Sequence, residues 1–154
     1  MTKIQELTIL LVEDDRGHAR LIEKNLRRAD VTNNIIIVND GQQALDYLHG
    51  EGKYDGIEPP KPLLVLLDLN LPVLDGYQVL ERMKADVRTQ RIPVIILTTT
   101  DSIREVSRCY NLGCSLYMTK PVDYKQFSGA IHKLASFLSF VTIPDGEGVL
   151  YGQV

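Results

Sequence analysis

Apolar residues gather along the chain in five short runs, at Thr8 to Val12, Ile35 to Val38, Leu63 to Leu67, Val94 to Leu97 and Leu116 to Met118. The run Leu63-Leu64-Val65-Leu66-Leu67 contains no polar residue. It lacks the alternation of a half-exposed strand and reads as one buried on both faces, as in parallel sheets. Between the runs, apolar positions recur at helical spacing: Ala19, Leu21, Ile22 and Leu26; Ala44, Leu45 and Leu48; Val79, Leu80 and Met83; Phe127, Ile131, Leu134, Leu138 and Val141. That spacing predicts helices over Arg16 to Ala29, Gly41 to Leu48, Tyr77 to Ala85 and Tyr124 to Phe140. Another is predicted from Asp101 or Ser102 to about Asn111, with Glu105 placed for a capping box and Gly113 for a C-terminal stop. Asn39-Asp40-Gly41 and Asp75-Gly76 are turn sequences, Pro72 stops the strand before it, and Asp123 caps the last helix. His49 to Pro62 reads as a long surface loop.

Strands alternating with helices predict an α/β fold. The expected form is a five-stranded parallel sheet in the order 2-1-3-4-5, a flavodoxin-like, doubly wound three-layer sandwich with right-handed crossovers. With 154 residues, 44% of them hydrophobic and 24% charged, the chain has the size and balance of one globular domain. That domain is expected over residues 1–141. Residues 142–154, with three glycines and one proline, read as an extended arm or a disordered tail and not as a separate output domain. The net charge is −3 and no Lys/Arg cluster or basic stripe stands out, which argues against a nucleic-acid partner. No apolar run approaches the length of a membrane span and no signal-peptide core follows Met1, so no membrane association and a cytoplasmic location are expected. Cys109 and Cys114 read as reduced core thiols. His18, His49 and His132 are too scattered to form a ligand cluster.

The strand ends carry the chemistry. The first predicted strand ends on Glu13-Asp14, the third on Asp68, the fourth on Thr98 and the fifth on Lys120. In the expected strand order, Glu13, Asp14 and Asp68 meet at one edge of the sheet, where binding sites form in open α/β folds. Clustered carboxylates repel, and a hard divalent cation or protonation relieves them. An oxygen-only donor set favours Mg²⁺, with the main-chain carbonyl of Asn70 as a further ligand. Lys120 adds a fixed positive charge and Thr98 a hydroxyl. A carboxylate so surrounded can attack a phosphoryl donor and become an aspartyl phosphate.

Val12-Glu13-Asp14-Asp15, Asp68-Leu69-Asn70-Leu71-Pro72, Asp75-Gly76, Leu97-Thr98-Thr99 and Lys120-Pro121 together resemble the receiver domain of CheY-like response regulators. The resemblance covers about residues 7 to 140. The longer signatures are Asp68 through Gly76, Ile92-Pro93-Val94, Thr98-Thr99-Thr100 and Lys120-Pro121-Val122-Asp123. With the long loop before the third strand, they resemble the small response regulators paired with cyanobacterial phytochromes. The resemblance implies Asp68 as phosphoacceptor and Mg²⁺ held by Glu13, Asp14, Asp68 and the Asn70 carbonyl. Thr98 and Lys120 would contact the phosphoryl group, and Tyr117 would be a rotameric switch. It also implies a cis Lys120–Pro121 peptide, and hydrolysis slowed by Thr99, which is bulkier than the frequent Ala or Gly. Glu13 stands where the family more often has Asp.

The function expected is that of a two-component response regulator, a phosphoacceptor and not an enzyme beyond slow autodephosphorylation. Its partner would be a histidine kinase, of the phytochrome type. The apolar stripe of the last helix continues through Phe137, Phe140 and Val141, which suggests a homodimer through that helix and the segment after it. A haloacid-dehalogenase-type phosphatase would need an acid where Asn70 stands. A flavodoxin-like cofactor binder would not place acids after its first strand. A degenerate receiver acting as a dimerisation scaffold would not need Asp68, Thr98 and Lys120 together.

Overall fold

The computed structural model describes residues 7–138, 143–144 and 150–151. Five parallel strands form one sheet: β1 (Thr8–Val12), β2 (Ile35–Val38), β3 (Leu63–Leu67), β4 (Val94–Thr98) and β5 (Leu116–Thr119). Their order is β2-β1-β3-β4-β5, as the strand and helix pattern predicts. Alternate residues of the apolar runs face opposite ways and both faces are covered, which is why the Leu63–Leu67 run has no polar member. Leu10, Val12, Val65, Leu67, Val94 and Ile96 pack with α2 (Gly41–His49), α3 (Gly76–Ala85) and Cys109 of α4 (Ile103–Leu112). Ile9, Leu11, Leu64, Leu66, Ile95 and Leu97 pack on the other face with α1 (Arg16–Arg28) and α5 (Tyr124–Leu138). Each such leucine or isoleucine, taken fully out of water, contributes about 1.5–3 kcal/mol.

Side chains at the strand-to-helix turns hold the helix starts. Asp15 accepts from the His18 amide at 3.0 Å, Asp40 from Gln43 at 2.7 Å and Ser102 from Glu105 at 3.2 Å. Asp75 and Gln78 form a full capping box at α3. Asp123 accepts from the amides of Lys125 and Gln126. Gly50 and Gly113 close α2 and α4 in the left-handed region, at φ 64° and 110°. Every helix therefore begins at the rim where the strands end, and its unpaired N–H groups favour anions there.

Outside the site, the structure departs from the sequence expectations in four places. The segment after α2 holds a 3₁₀ turn at Gly52–Tyr54, with Tyr54 packed edge-on against Tyr47 at 5.2 Å between ring centroids. It is ordered by that aromatic contact and is not merely a loop. The helix also gathers Arg16, Arg20 and Lys24, which are exposed and spaced four apart, into a short basic row along α1 that the linear sequence disperses. In the segment read as an extended arm or disorder, β6 (Ile143–Pro144) pairs antiparallel with β7 (Leu150–Tyr151). The intervening Asp145-Gly146 and Gly148 are turn-forming residue types. Finally, the stripe of α5 is core as far as Leu138, because Phe127, Ile131, Leu134 and Leu138 are all buried. Phe137 lies off that face, 47% exposed, while Phe140 and Val141 fall outside the described residues. Both cysteines are free and buried, as expected. Among the described residues, no helix is long and apolar enough to cross a membrane.

Candidate functional site

Asp68 is the first residue past β3. Its N–H donates to the Val12 carbonyl at 3.1 Å, so the sheet ladder itself seats it beside β1. Its side chain is buried and each oxygen is engaged. Oδ1 accepts from Thr98 Oγ1 at 2.7 Å and from the Asn70 amide at 3.3 Å. Oδ2 accepts from Lys120 Nζ at 3.0 Å. The main-chain N–H of Lys120 donates to the Thr98 carbonyl at 2.6 Å, which ties these two partners to each other.

Glu13 follows β1, with its amide bonded to Val38 at 3.0 Å. It is only 2% exposed, and its Oε1 accepts from the same Lys120 ammonium. Oε2 accepts from the Asp15 amide at 3.1 Å. Burial pushes the Glu13 carboxyl up to about 7, against the pull of Lys120 in the other direction. Asp14 stands exposed beside it. Glu13, Asp14 and Asp68 present oxygens that all lie within 4.8 Å of one another. An oxygen-only set at this spacing fits a hard divalent cation of the Mg²⁺ type.

The structure thus brings together Glu13, Asp14, Asp68, Thr98 and Lys120, and places Asn70 in the loop just after Asp68. Tyr117 is not part of this group. Its phenol is half-buried and donates to the carbonyl of Thr100, two residues beyond Thr98. The peptide before Pro121 is trans, contrary to the expectation. Among the described residues the cis bond is Lys61–Pro62. Trans is the lower-energy isomer even before proline, and with it Lys120 already reaches both buried carboxylates.

Three features of the site were missed in the sequence. Gly76 is required by space as well as by turn geometry, since a Cβ there would sit 2.3 Å from the Asp68 carbonyl oxygen. Gly41 meets the same loop from α2, where a Cβ would lie 2.0 Å from the carbonyl oxygen of Leu74. Between them Val73 has φ 67°, a strained conformation for a β-branched residue. The turn-forming glycines were visible in the sequence, but the contacts that forbid a side chain come from residues far along the chain.

The family model described as the response regulator receiver domain matches residues 9–132. The chain belongs to the response regulator receiver family. This receiver is 38% identical to response regulator Rcp1 of Synechocystis sp. over 137 residues, 88% of this chain and 92% of Rcp1. A crystal structure of the Mn²⁺-bound form of Rcp1 matches it with a TM-score of 0.82 at 36% identity, over 89% of this chain and 98% of that one. A receiver domain from Rhodospirillum rubrum matches with a TM-score of 0.84 and 52% identity, covering 92% and 99% of the two chains. The phosphorylated cyanobacterial phytochrome response regulator RcpA matches with a TM-score of 0.82 and 36% identity, covering 90% and 99%. The receiver is thus a two-component signalling domain, similar in sequence and fold to a phytochrome response regulator.

Proposed function

We propose that this receiver accepts a phosphoryl group on Asp68 from a histidine kinase of the phytochrome type. The observation that carries the reading is the setting of Asp68, with Thr98 on one oxygen and Lys120 on the other. In the transfer, a carboxylate oxygen of Asp68 bonds to phosphorus. The phosphorus–nitrogen bond to the donor histidine breaks, and the imidazole leaves with the bonding pair and takes up a proton. Lys120 balances charge that builds on the phosphoryl oxygens, and the Thr98 hydroxyl turns from the carboxylate to the phosphoryl group. Glu13, Asp14, Asp68 and the Asn70 carbonyl would hold Mg²⁺, which when bound neutralises the same oxygens. Tyr117 would leave Thr100 and turn inward as Thr98 shifts. Thr99, exposed at the strand end, would narrow the path of a hydrolytic water.

The partner is proposed from the likeness to Rcp1 and RcpA, and the cytoplasmic location expected from the sequence belongs to this reading. The test is incubation with acetyl phosphate, with and without Mg²⁺, followed by a phosphate-affinity gel. Wild type should shift only with Mg²⁺ and D68N should not shift. A shift retained in D68N would overturn the assignment of the acceptor.

A further inference from the structure

Away from the phosphoacceptor, one cluster joins two elements that no backbone ladder connects. The Tyr77 hydroxyl, at the start of α3, donates to Glu105 Oε2 in the first turn of α4. One turn on, the Arg108 guanidinium lies over the Tyr77 ring, 3.9 Å from its centroid, and its Nη1 is 3.9 Å from the same Glu105 oxygen. Phenol, carboxylate and guanidinium thus form a closed three-membered group. Burial and the Glu105 carboxylate hold the Tyr77 phenol well above its usual range, so it stays a donor.

The cluster has a place in a ring of contacts that begins and ends at Asp68. On one side, Gly76 donates to Leu69 at 2.9 Å and packs against the Asp68 carbonyl, and Tyr77 is the next residue. On the other side, Thr98 holds Asp68 Oδ1, and the chain runs through Thr100, held by Tyr117, to the Ser102 cap. Ser102 Oγ then accepts from the amide of Glu105, the residue whose carboxylate Tyr77 grips. The run from Thr98 to α4 thus ends on the residue whose carboxylate Tyr77 holds.

We infer that Tyr77, Glu105 and Arg108 are a clamp that holds α4 in its resting position against the phosphoacceptor loop, and that opening it is a step in the response to phosphorylation. The second half rests on the reading of Asp68 as phosphoacceptor; the first does not. Tyr77 is on this account a positioning residue. It acts through α4 and does not touch the transferred group.

The experiment uses the full chain, unphosphorylated, and follows amide hydrogen exchange in Y77F, E105Q and the double variant. Each single variant should speed exchange across α4 by about tenfold, the order expected for a hydrogen bond to a charged group. α1, α5 and the strands should keep wild-type exchange. The double variant should fall short of the product of the two singles, because both weaken the same Tyr77–Glu105 hydrogen bond. With acetyl phosphate and Mg²⁺, both singles should be phosphorylated about threefold faster or more, because α4 no longer has to be released. Unchanged exchange in α4, a double variant equal to the product of the singles, or freer α4 without faster phosphorylation would each overturn the clamp. If Y77F loosens the whole domain, R108M, which takes the cation away from both the Tyr77 ring and Glu105, must still free α4 alone. Wild type that takes no phosphate would sink the reading of Asp68 and leave the exchange result to decide the resting clamp.

Discussion

Glu13 is where burial and charge pull hardest against each other. Its carboxyl is raised from a usual 4.5 to about 7, with burial the larger cause and Lys120 opposing it. Between those values the folded protein keeps a proton that the unfolded chain has released, so stability falls as pH rises across the window. The urea midpoint of the metal-free protein should therefore drop between about pH 4.5 and 7, and E13Q should flatten the drop. A midpoint that climbs over this interval would show that Lys120 outweighs burial. At this scale the sequence was a good guide to which side chains gather: Glu13, Asp14, Asp68, Thr98 and Lys120 were all named from the ends of apolar runs. It was a poor guide to state. Lys120 bridging Glu13 and Asp68, the trans bond before Pro121 and the positive φ of Val73 depend on neighbours that no local pattern reveals.

At the scale of elements, the loop between β3 and α3 does the positioning. G76A would force a Cβ to within 2.3 Å of the Asp68 carbonyl oxygen. The clash must be relieved by moving the loop, and a shift of about 1 Å at a reacting group costs on the order of 100-fold in rate. We expect G76A to fold, to lose about 1–3 kcal/mol in a urea melt, and to be phosphorylated by acetyl phosphate at about a hundredth of the wild-type rate. A wild-type rate would show that the loop tolerates displacement. Strands and helices themselves were legible because a two-faced sheet imposes unbroken apolar runs and one-sided helices impose a stripe. The cap at Asp101 or Ser102, which falls on Ser102, and the stop at Gly113 were legible because capping is local chemistry. The ladder between Ile143–Pro144 and Leu150–Tyr151 was not, because two-residue strands carry no periodicity. The Tyr77–Glu105–Arg108 group was not, because it spans two helices.

For the whole molecule, the question is what a receiver with this surface does with its exposed apolar residues. The face of α5 that sequence periodicity picked out is spent on the core, which leaves Tyr124 at its start and Phe137 near its end, 54% and 47% exposed, on the surface of the helix. We propose a homodimer through the end of α5 and the segment after it. Light scattering should give a dimer mass for wild type and a monomer mass for F137D. The monomer should keep its fold, since substitution at an exposed site changes stability by about 0.5 kcal/mol or less. A dimer mass retained in F137D would place the interface elsewhere.

The two glycines that meet the β3–α3 loop have one more consequence. Gly41 presses on it at Leu74 from α2, and Gly76 presses on it at Asp68 from α3. Pinned from both flanks, the acceptor is an anvil and not an arm. Under the proposed transfer it is the visiting histidine that would travel the final ångströms, so the burden of fit would fall on the visitor.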